Sequence, residues 1–221
     1  MFARLFGGFH EFRATYLLDK YCRNNDPFSS FDKRLQAVLD LHQGIDTATF
    51  IDSSNLYTYL LDALWALYPN ARFILGVRDG RDFVRSAITR GWHTRSSFDT
   101  IPRKSSPYYS RWKNMSPIER TAWIWTNRNE IALGLLEHIP RNNWMLVRLE
   151  DLDEMLLCRL EEFAGHPIKD KKAVNAEVNS NPVQNFPPKE EWSEDELQAF
   201  YAIAGNMMKK LGYLDFHNLK Q

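Results

Sequence analysis

The sequence predicts an α/β fold built on a parallel sheet, and three observations carry that prediction. The first is Phe73-Ile74-Leu75-Gly76-Val77, a short apolar run with branched residues that reads as a strand buried on both faces. The second is the stretch directly after it: a charged, tight Arg78-Asp79-Gly80-Arg81-Asp82, and then Phe83, Val84, Ala87 and Ile88 at helical spacing. Strand, loop and helix in that order form the unit of a parallel sheet. The third is another apolar run, WMLVRL from Trp144 to Leu149, leading through Glu150-Asp151-Leu152 into a further helical stretch. A chain of 221 residues is long enough for one sizeable core and short for two, so one domain over 1–221 is expected.

Composition removes several function classes. Lys plus Arg and Asp plus Glu are 28 each, so no global field favours nucleic acid or an anionic membrane. Cys22 and Cys158 stand far apart with no CxxC spacing and no clustered His. This disfavours a zinc site or a disulfide scaffold and fits a reducing, cytoplasmic compartment. No apolar run is long enough to cross a bilayer, and the first residues lack the shape of a secretory signal. The many aromatics argue for a globular protein, and no internal repeat is found.

The elements come in order along the chain. Met1 to Phe6 has helical character from its first residue, with no strand before it. Gly7-Gly8 makes no phosphate loop, because no strand precedes it and no Lys-Ser or Lys-Thr comes after it. Ser29 or Ser30 caps a helix over FDKRLQAVLDLHQG that Gly44 closes. Thr49 to Ile51 reads as a short strand, and Asp52-Ser53-Ser54-Asn55 is a cluster of cap residues before a helix over Leu56 to Tyr68. Gly91 to Met115 is long and irregular, with basic groups among aromatics, including Arg95, Arg103, Lys104, Tyr108, Arg111 and Trp112. It reads either as a segment closing over a nucleotide or an acidic sugar, or as a solvated loop with a few anchoring aromatics. Ser116-Pro117-Ile118-Glu119 is a capping box that opens a helix to about His138, with Trp123 and Trp125 as core residues. Asp153 to Ala164 is the next helix, stopped by Gly165 and Pro167. A Pro- and Asn-rich loop, Asn179 to Trp192, precedes a last helix capped by Ser193 with Glu196 and stopped by Gly212.

The chemistry concentrates after Val77. In an open parallel sheet, ligands bind at the carboxyl ends of strands, and the helix after the strand points its partially positive end there. Arg78 offers a planar fork suited to two oxygens of one phosphate, and Ser86, eight residues on, adds a hydroxyl donor. Asp79 and Asp82 would repel an anion. They are expected to do structural work, Asp82 as the helix cap and Asp79 as the partner of an Arg. The bland alternative is a surface ion pair of Arg78 and Asp82 at a helix start.

The run LDALWALYPNARFILGVRDGRDFVRSAI resembles the 3'-phosphate-binding segment of the sulfotransferases that use 3'-phosphoadenosine 5'-phosphosulfate (PAPS). In that family a helix ends in Pro before a strand, the strand runs into an Arg-Asp-Pro-Arg-Asp loop, and a Ser stands at this same distance. Gly80 occupies the place where the family usually has Pro. The resemblance runs from Ile51 nearly to the end, including the Leu149-Glu150-Asp151-Leu152 turn, where the family has Tyr first, and the terminal Leu211-Gly212-Tyr213. It implies a three-layer α/β/α fold with a central parallel sheet, like that of P-loop NTPases. MFARLFGGFHEF resembles the helix after the family's 5'-phosphosulfate loop, which implies that this chain starts inside the domain, without that strand and loop.

By position the resemblance gives Arg78 and Ser86 the 3'-phosphate, with Lys189 before Trp192 as the nearest match to a basic group that completes the pocket. The family's Lys and His at the second strand fall near Ser53 and Asn55, so neither is present here. PAPS is the implied donor, no metal is needed, and the acceptor is a hydroxyl or amine of a sugar, lipid or small metabolite. Sulfuryl transfer needs a base for the acceptor's proton. His10 and Glu11 are the pair placed for it, with His42 a weaker third; the alternative for His10 and Glu11 is that they are ordinary surface residues. Two alternatives stand beside the enzyme: a nucleotide-binding remnant that is catalytically inert, and an ATP-using P-loop kinase relative, which lacks its Gly-rich loop with Lys.

Overall fold

The structure, a computed structural model, describes residues 2–13, 20, 28, 30–47, 49–174 and 186–214. It is α/β, with much helix and small parallel sheets. Among the described residues the strands form two sheets of two strands each, where the resemblance implies one central sheet. The chain gathers into two compact units, each discontinuous in sequence.

The first unit comprises Met1–Gly76 and Ile131–Asn179. Helix α1 (Phe2–Phe6) buries Leu5 and Phe6 against Val147, Leu157, Leu160 and Ile168. Strand β1 (Phe9–His10) then pairs in parallel with β2 (Asp52–Ser53), Phe9 opposite Asp52 and His10 opposite Ser53. The residue pattern predicts neither strand at those positions. The strand read at Thr49 to Ile51 lies one step later, and the supposed cap residues Asp52 and Ser53 form it. Helix α2 (Phe31–His42) starts at Ser30, whose hydroxyl accepts the Lys33 N–H, and Gly44 beyond it takes a left-handed φ of 76°.

The helix expected over Leu56 to Tyr68 breaks into a 3₁₀ turn (Asn55–Tyr59), capped by Ser54, and α3 (Leu61–Leu67). Arg34 of α2 grips Asp62 of α3 through two parallel hydrogen bonds, Nε to Oδ1 at 2.9 Å and Nη2 to Oδ2 at 2.5 Å. Strand β3 (Phe73–Val77) pairs with β4 (Trp144–Arg148), and Leu61, Ala132, Leu136 and Ile139 form a second small core beside Phe73, Leu75 and Trp144. Helix α6 (Glu154–Ala164) ends on Gly165 with φ 64°, as the residues there predict, while Asp153, read as its first residue, is instead its cap.

The second unit comprises Val77–Glu130 and Ser180–Gln221. It holds α4 (Gly80–Thr89), most of α5 (Pro117–Leu136) and α7 (Glu194–Lys210). The α5 capping box is present: Ser116 Oγ accepts the Glu119 N–H at 3.2 Å, and Glu119 accepts the Ser116 N–H at 2.7 Å. The same reciprocal pair at Ser193 and Glu196 starts α7. Trp123, Trp125 and Phe200 are buried, matching the core role read for the two tryptophans.

The irregular segment 91–115 is tied down from inside by two arginines of α5. Arg120 donates to the carbonyls of His93, Trp112 and Lys113, at 3.2, 3.1 and 2.8 Å. Arg128 pairs with Asp99 and lies 4.7 Å over the Trp92 ring.

Gly80 marks the closest approach in this unit. A Cβ there would stand 3.0 Å from Phe200 and 3.1 Å from both Met208 and Trp125. Pro is otherwise welcome at the first residue of a helix, but here any Cβ presses on the floor formed by the Phe200, Met208 and Trp125 side chains, which must give way for it. Gly80→Leu is therefore expected to destabilise the protein by about 1–3 kcal/mol through overpacking, measured by denaturant unfolding. A variant as stable as the parent would show that the floor is not packed as described.

Candidate functional site

The loop between β3 and α4 is the sequence-predicted phosphate site. Arg78 comes directly after the last strand residue and is half-buried; Ser86 lies two turns into α4 and is also half-buried. The cap of α4 is Asp79 rather than Asp82: Asp79 Oδ1 accepts the Arg81 N–H at 2.8 Å. The helix begins earlier than a cap at Asp82 requires, because Gly80 is already helical. The expectation that Asp79 pairs with an Arg holds, and the Arg is Arg81, with Nε to Oδ1 at 3.0 Å and Nη2 to Oδ2 at 2.5 Å.

Lys189 reaches the same carboxylates. Its Nζ donates to Asp82 at 2.8 Å and to Asp79 at 3.2 Å. It stands on a 3₁₀ turn (Lys189–Glu191) between Pro188 and Trp192, and Trp192 packs edge-on against Phe186 and Phe200 at 5.7 and 5.9 Å. Arg85 of α4 holds the same segment by donating to the Phe186 carbonyl. Residues 175–185 of the Pro-rich loop lie outside the described residues.

Asp79 is 5% exposed. Burial pushes its carboxyl pKa up, but the hydrogen bonds and charge of Arg81, helped by Lys189, outweigh burial and hold it below the ordinary aspartate value. The same contacts push Arg81 up, with its bond to Asp79 foremost. Burial lowers the Lys189 ammonium, and Asp82 and Asp79 together overcome that and raise it. Arg81 also donates to Tyr201 of α7 at 3.2 Å, a contact no spacing in the sequence foretells because 120 positions separate the two.

The proposed base lies in the first unit. His10 Nδ1 is 3.0 Å from the Ser53 carbonyl oxygen and 3.2 Å from Ser53 Oγ. A carbonyl only accepts, so Nδ1 is the donor, and in the neutral ring Nε2 is then the nitrogen with the lone pair. The ring is exposed. Glu11 is exposed, with φ 55°, and its N–H donates to the same Ser53 carbonyl at 3.0 Å.

Arg13, at φ 50°, is a second non-glycine residue in the left-handed region. Such residues cost about 1–3 kcal/mol each and persist only where surroundings over-determine them. Here Asp52 accepts the Phe12 N–H at 3.2 Å, and Arg13 Nη1 donates to the Leu41 and Gln43 carbonyls at 3.1 and 2.8 Å. The Phe12 ring lies 5.0 Å from Phe9 and 5.3 Å from Phe50. Arg13 carries no signal in the sequence that would mark it, and Asp52 reads there only as a cap residue.

His42, the weaker third base, sits between two tyrosines. Nδ1 is 3.0 Å from the Tyr68 hydroxyl and Nε2 is 3.4 Å from that of Tyr57, with Phe50 packed on the ring. Burial lowers its pKa; the Asp52 charge opposes this and Arg13 adds to it. Burial and then Asp52 push the Tyr57 phenol up.

His93, in the second unit, is lowered by burial and by the Arg120 charge. Both histidines therefore resist protonation in the folded protein, whereas the unfolded chain takes protons up below about pH 6.5. Their contribution to stability is complete above that pH and is lost as pH falls below it. Unfolding free energy is therefore expected to fall as pH drops below about 6.5. His42→Phe should flatten part of that slope, and a slope unchanged by the substitution would contradict the reading.

Compared with known proteins, the chain matches no family model and no curated sequence. Among the described residues no group of three or more His, Cys, Asp or Glu could hold a metal ion, and no helix is long and apolar enough to cross a membrane.

Proposed function

We propose that the chain is a sulfotransferase, moving a sulfuryl group from PAPS to a hydroxyl or amine of a sugar, lipid or small metabolite. One observation carries the reading. Val77 closes a strand, Arg78 stands next, Asp79 caps the helix after it, and Ser86 lies two turns into that helix. That order of parts supports a phosphate held at the carboxyl end of a strand by a guanidinium, a hydroxyl and helix amides. PAPS brings the activated sulfuryl group, and adenosine 3',5'-bisphosphate is what remains after transfer. His10 serves in this reading as the base for the acceptor's proton, through the Nε2 lone pair that its Ser53 bond leaves available, with Glu11 beside it. The domain is of the P-loop-like, three-layer kind in the same reading.

A second reading is favoured by one observation in the first unit. Ser53 and Asn55 stand where the resemblance puts a Lys and a His; Ser53 is bonded to His10, and Asn55 opens a 3₁₀ turn. A chain without those cations would hold the adenosine bisphosphate and transfer nothing.

Adenosine 3',5'-bisphosphate is expected to raise the melting temperature more than ATP does, because only the first has a 3'-phosphate. Equal shifts would contradict both readings and favour an ATP-using relative. Release of adenosine 3',5'-bisphosphate from PAPS with a panel of hydroxyl and amine acceptors then separates enzyme from remnant.

A further inference from the structure

Asp82 and Ser86 are four residues apart on α4, which puts them on one face with Cβ atoms about 5–6 Å apart. If Ser86 donates to a phosphate, as the proposed function requires, Asp82 faces that phosphate with a carboxylate of like charge. Left alone, such a group works against the anion. It is not left alone: Lys189 Nζ donates to Asp82 at 2.8 Å and to Asp79 at 3.2 Å, while Arg81 closes on Asp79 with two further bonds. Two cations, Arg81 and Lys189, thus stand against the two carboxylates.

The arm that carries Lys189 is built from the other side. Trp192 donates from Nε1 to the Pro187 carbonyl at 3.2 Å and packs between Phe186 and Phe200, and Ser193 begins α7 immediately after it. The ammonium is therefore delivered to Asp82 by a braced turn, without the cost of ordering a loose chain.

Resting on the phosphate site proposed above, we infer that Lys189 is not a phosphate ligand but a positioning residue: it cancels Asp82, so that an anion can approach Ser86 and the head of α4. This differs from the role that resemblance gives the residue. The expectation from resemblance is direct contact, in which the ammonium is aimed at the ligand. Here the ammonium is aimed at two carboxylates that would otherwise oppose the ligand.

The two roles separate in a double-substitution cycle read by calorimetric titration with adenosine 3',5'-bisphosphate at low salt. Lys189→Met is expected to weaken binding roughly tenfold, the scale of one uncompensated charge at such a distance. Asp82→Asn is expected to bind as well as the parent or better, and the double variant to return within about twofold of it. The Lys189→Met deficit should shrink at high salt, where repulsion is screened.

An equal loss from Lys189→Met whether or not Asp82→Asn is also present would make Lys189 a direct ligand and overturn the inference while leaving the phosphate site standing. A parent chain that binds the bisphosphate no better than adenosine overturns the site and the inference together. Should Lys189→Met fail to fold, Asp82→Asn alone decides: the Asp82 side chain is 33% exposed, and weaker binding by that variant refutes a repulsive role for Asp82.

Discussion

Arg78→Ala removes the advantage of adenosine 3',5'-bisphosphate over ATP. A hydrogen bond to a charged group contributes about 1.5–3 kcal/mol, and the guanidinium fork is matched to two oxygens of one phosphate. Its loss is expected to weaken bisphosphate binding roughly ten- to a hundredfold. ATP, which has no 3'-phosphate for this group to hold, should lose little. In a melting experiment with ligand at about a hundred times its dissociation constant, the parent gains about 2.7 kcal/mol. The Arg78→Ala chain gains about 0.4–1.4 kcal/mol at the same ligand concentration, and the two nucleotides shift it equally. Ser86→Ala is expected to act in the same direction by a smaller factor, because it removes only one neutral donor. A bisphosphate advantage that survives Arg78→Ala would place the recognition elsewhere.

Asp79→Ala is expected to cost the most stability of any single substitution considered. Asp79 is 5% exposed, caps α4 through the Arg81 N–H, and faces both Arg81 and Lys189. Losing an N-cap costs about 1 kcal/mol, and removing one partner of a buried ion pair costs about 3–5 kcal/mol. The cations here are partly exposed, with side chains at 23% and 25%, so water screens some of the second loss. About 3–4 kcal/mol in all is expected, a fall in melting temperature of roughly 6–16 °C for a chain of this size.

Asp79→Asn divides the two causes, because Asn caps as well as Asp but carries no charge; it should recover about 1 kcal/mol of the loss. The carboxyl pKa is held below its unfolded value, so its contribution is present above about pH 4 and is lost as pH falls through the lower folded value. Asp79→Ala should thus differ least from the parent in acid. A variant within about 1 kcal/mol of the parent at neutral pH would show that the cluster does not hold the loop.

The parts of the fold written in local chemistry were legible from the residues. Ser30, Ser116 and Ser193 are caps because a short oxygen-bearing side chain before an apolar-periodic run has one favoured task, and Gly44, Gly165 and Gly212 end helices through positive φ. The β3 strand and α4 helix are marked by a change of apolar period at Arg78.

Local pattern misreads pairing. Asp52 and Ser53 have the composition of caps, yet they form a strand because Phe9 and His10 lie opposite them in the register, from a distant part of the chain. Asp79 and Asp82 are equally good caps by type. The choice falls on Asp79, whose carboxylate accepts the Arg81 N–H and also pairs with the Arg81 guanidinium. The candidate site divides in the same way between local and distant signals. Arg78 and Ser86 are given by spacing along one loop and helix, whereas the engagement of Lys189 with Asp82, and of Arg81 with Tyr201, depends on chain brought back from more than a hundred positions later.

The phosphate assignment is tested most directly by calorimetric titration of the unaltered chain with adenosine 3',5'-bisphosphate and, separately, with adenosine 5'-phosphate, which differs only in the 3'-phosphate. Recognition through Arg78 and Ser86 requires the bisphosphate to bind at least about tenfold tighter, with the gap closing in Arg78→Ala. Equal affinities for the two nucleotides in the unaltered chain, or binding of neither, would contradict it.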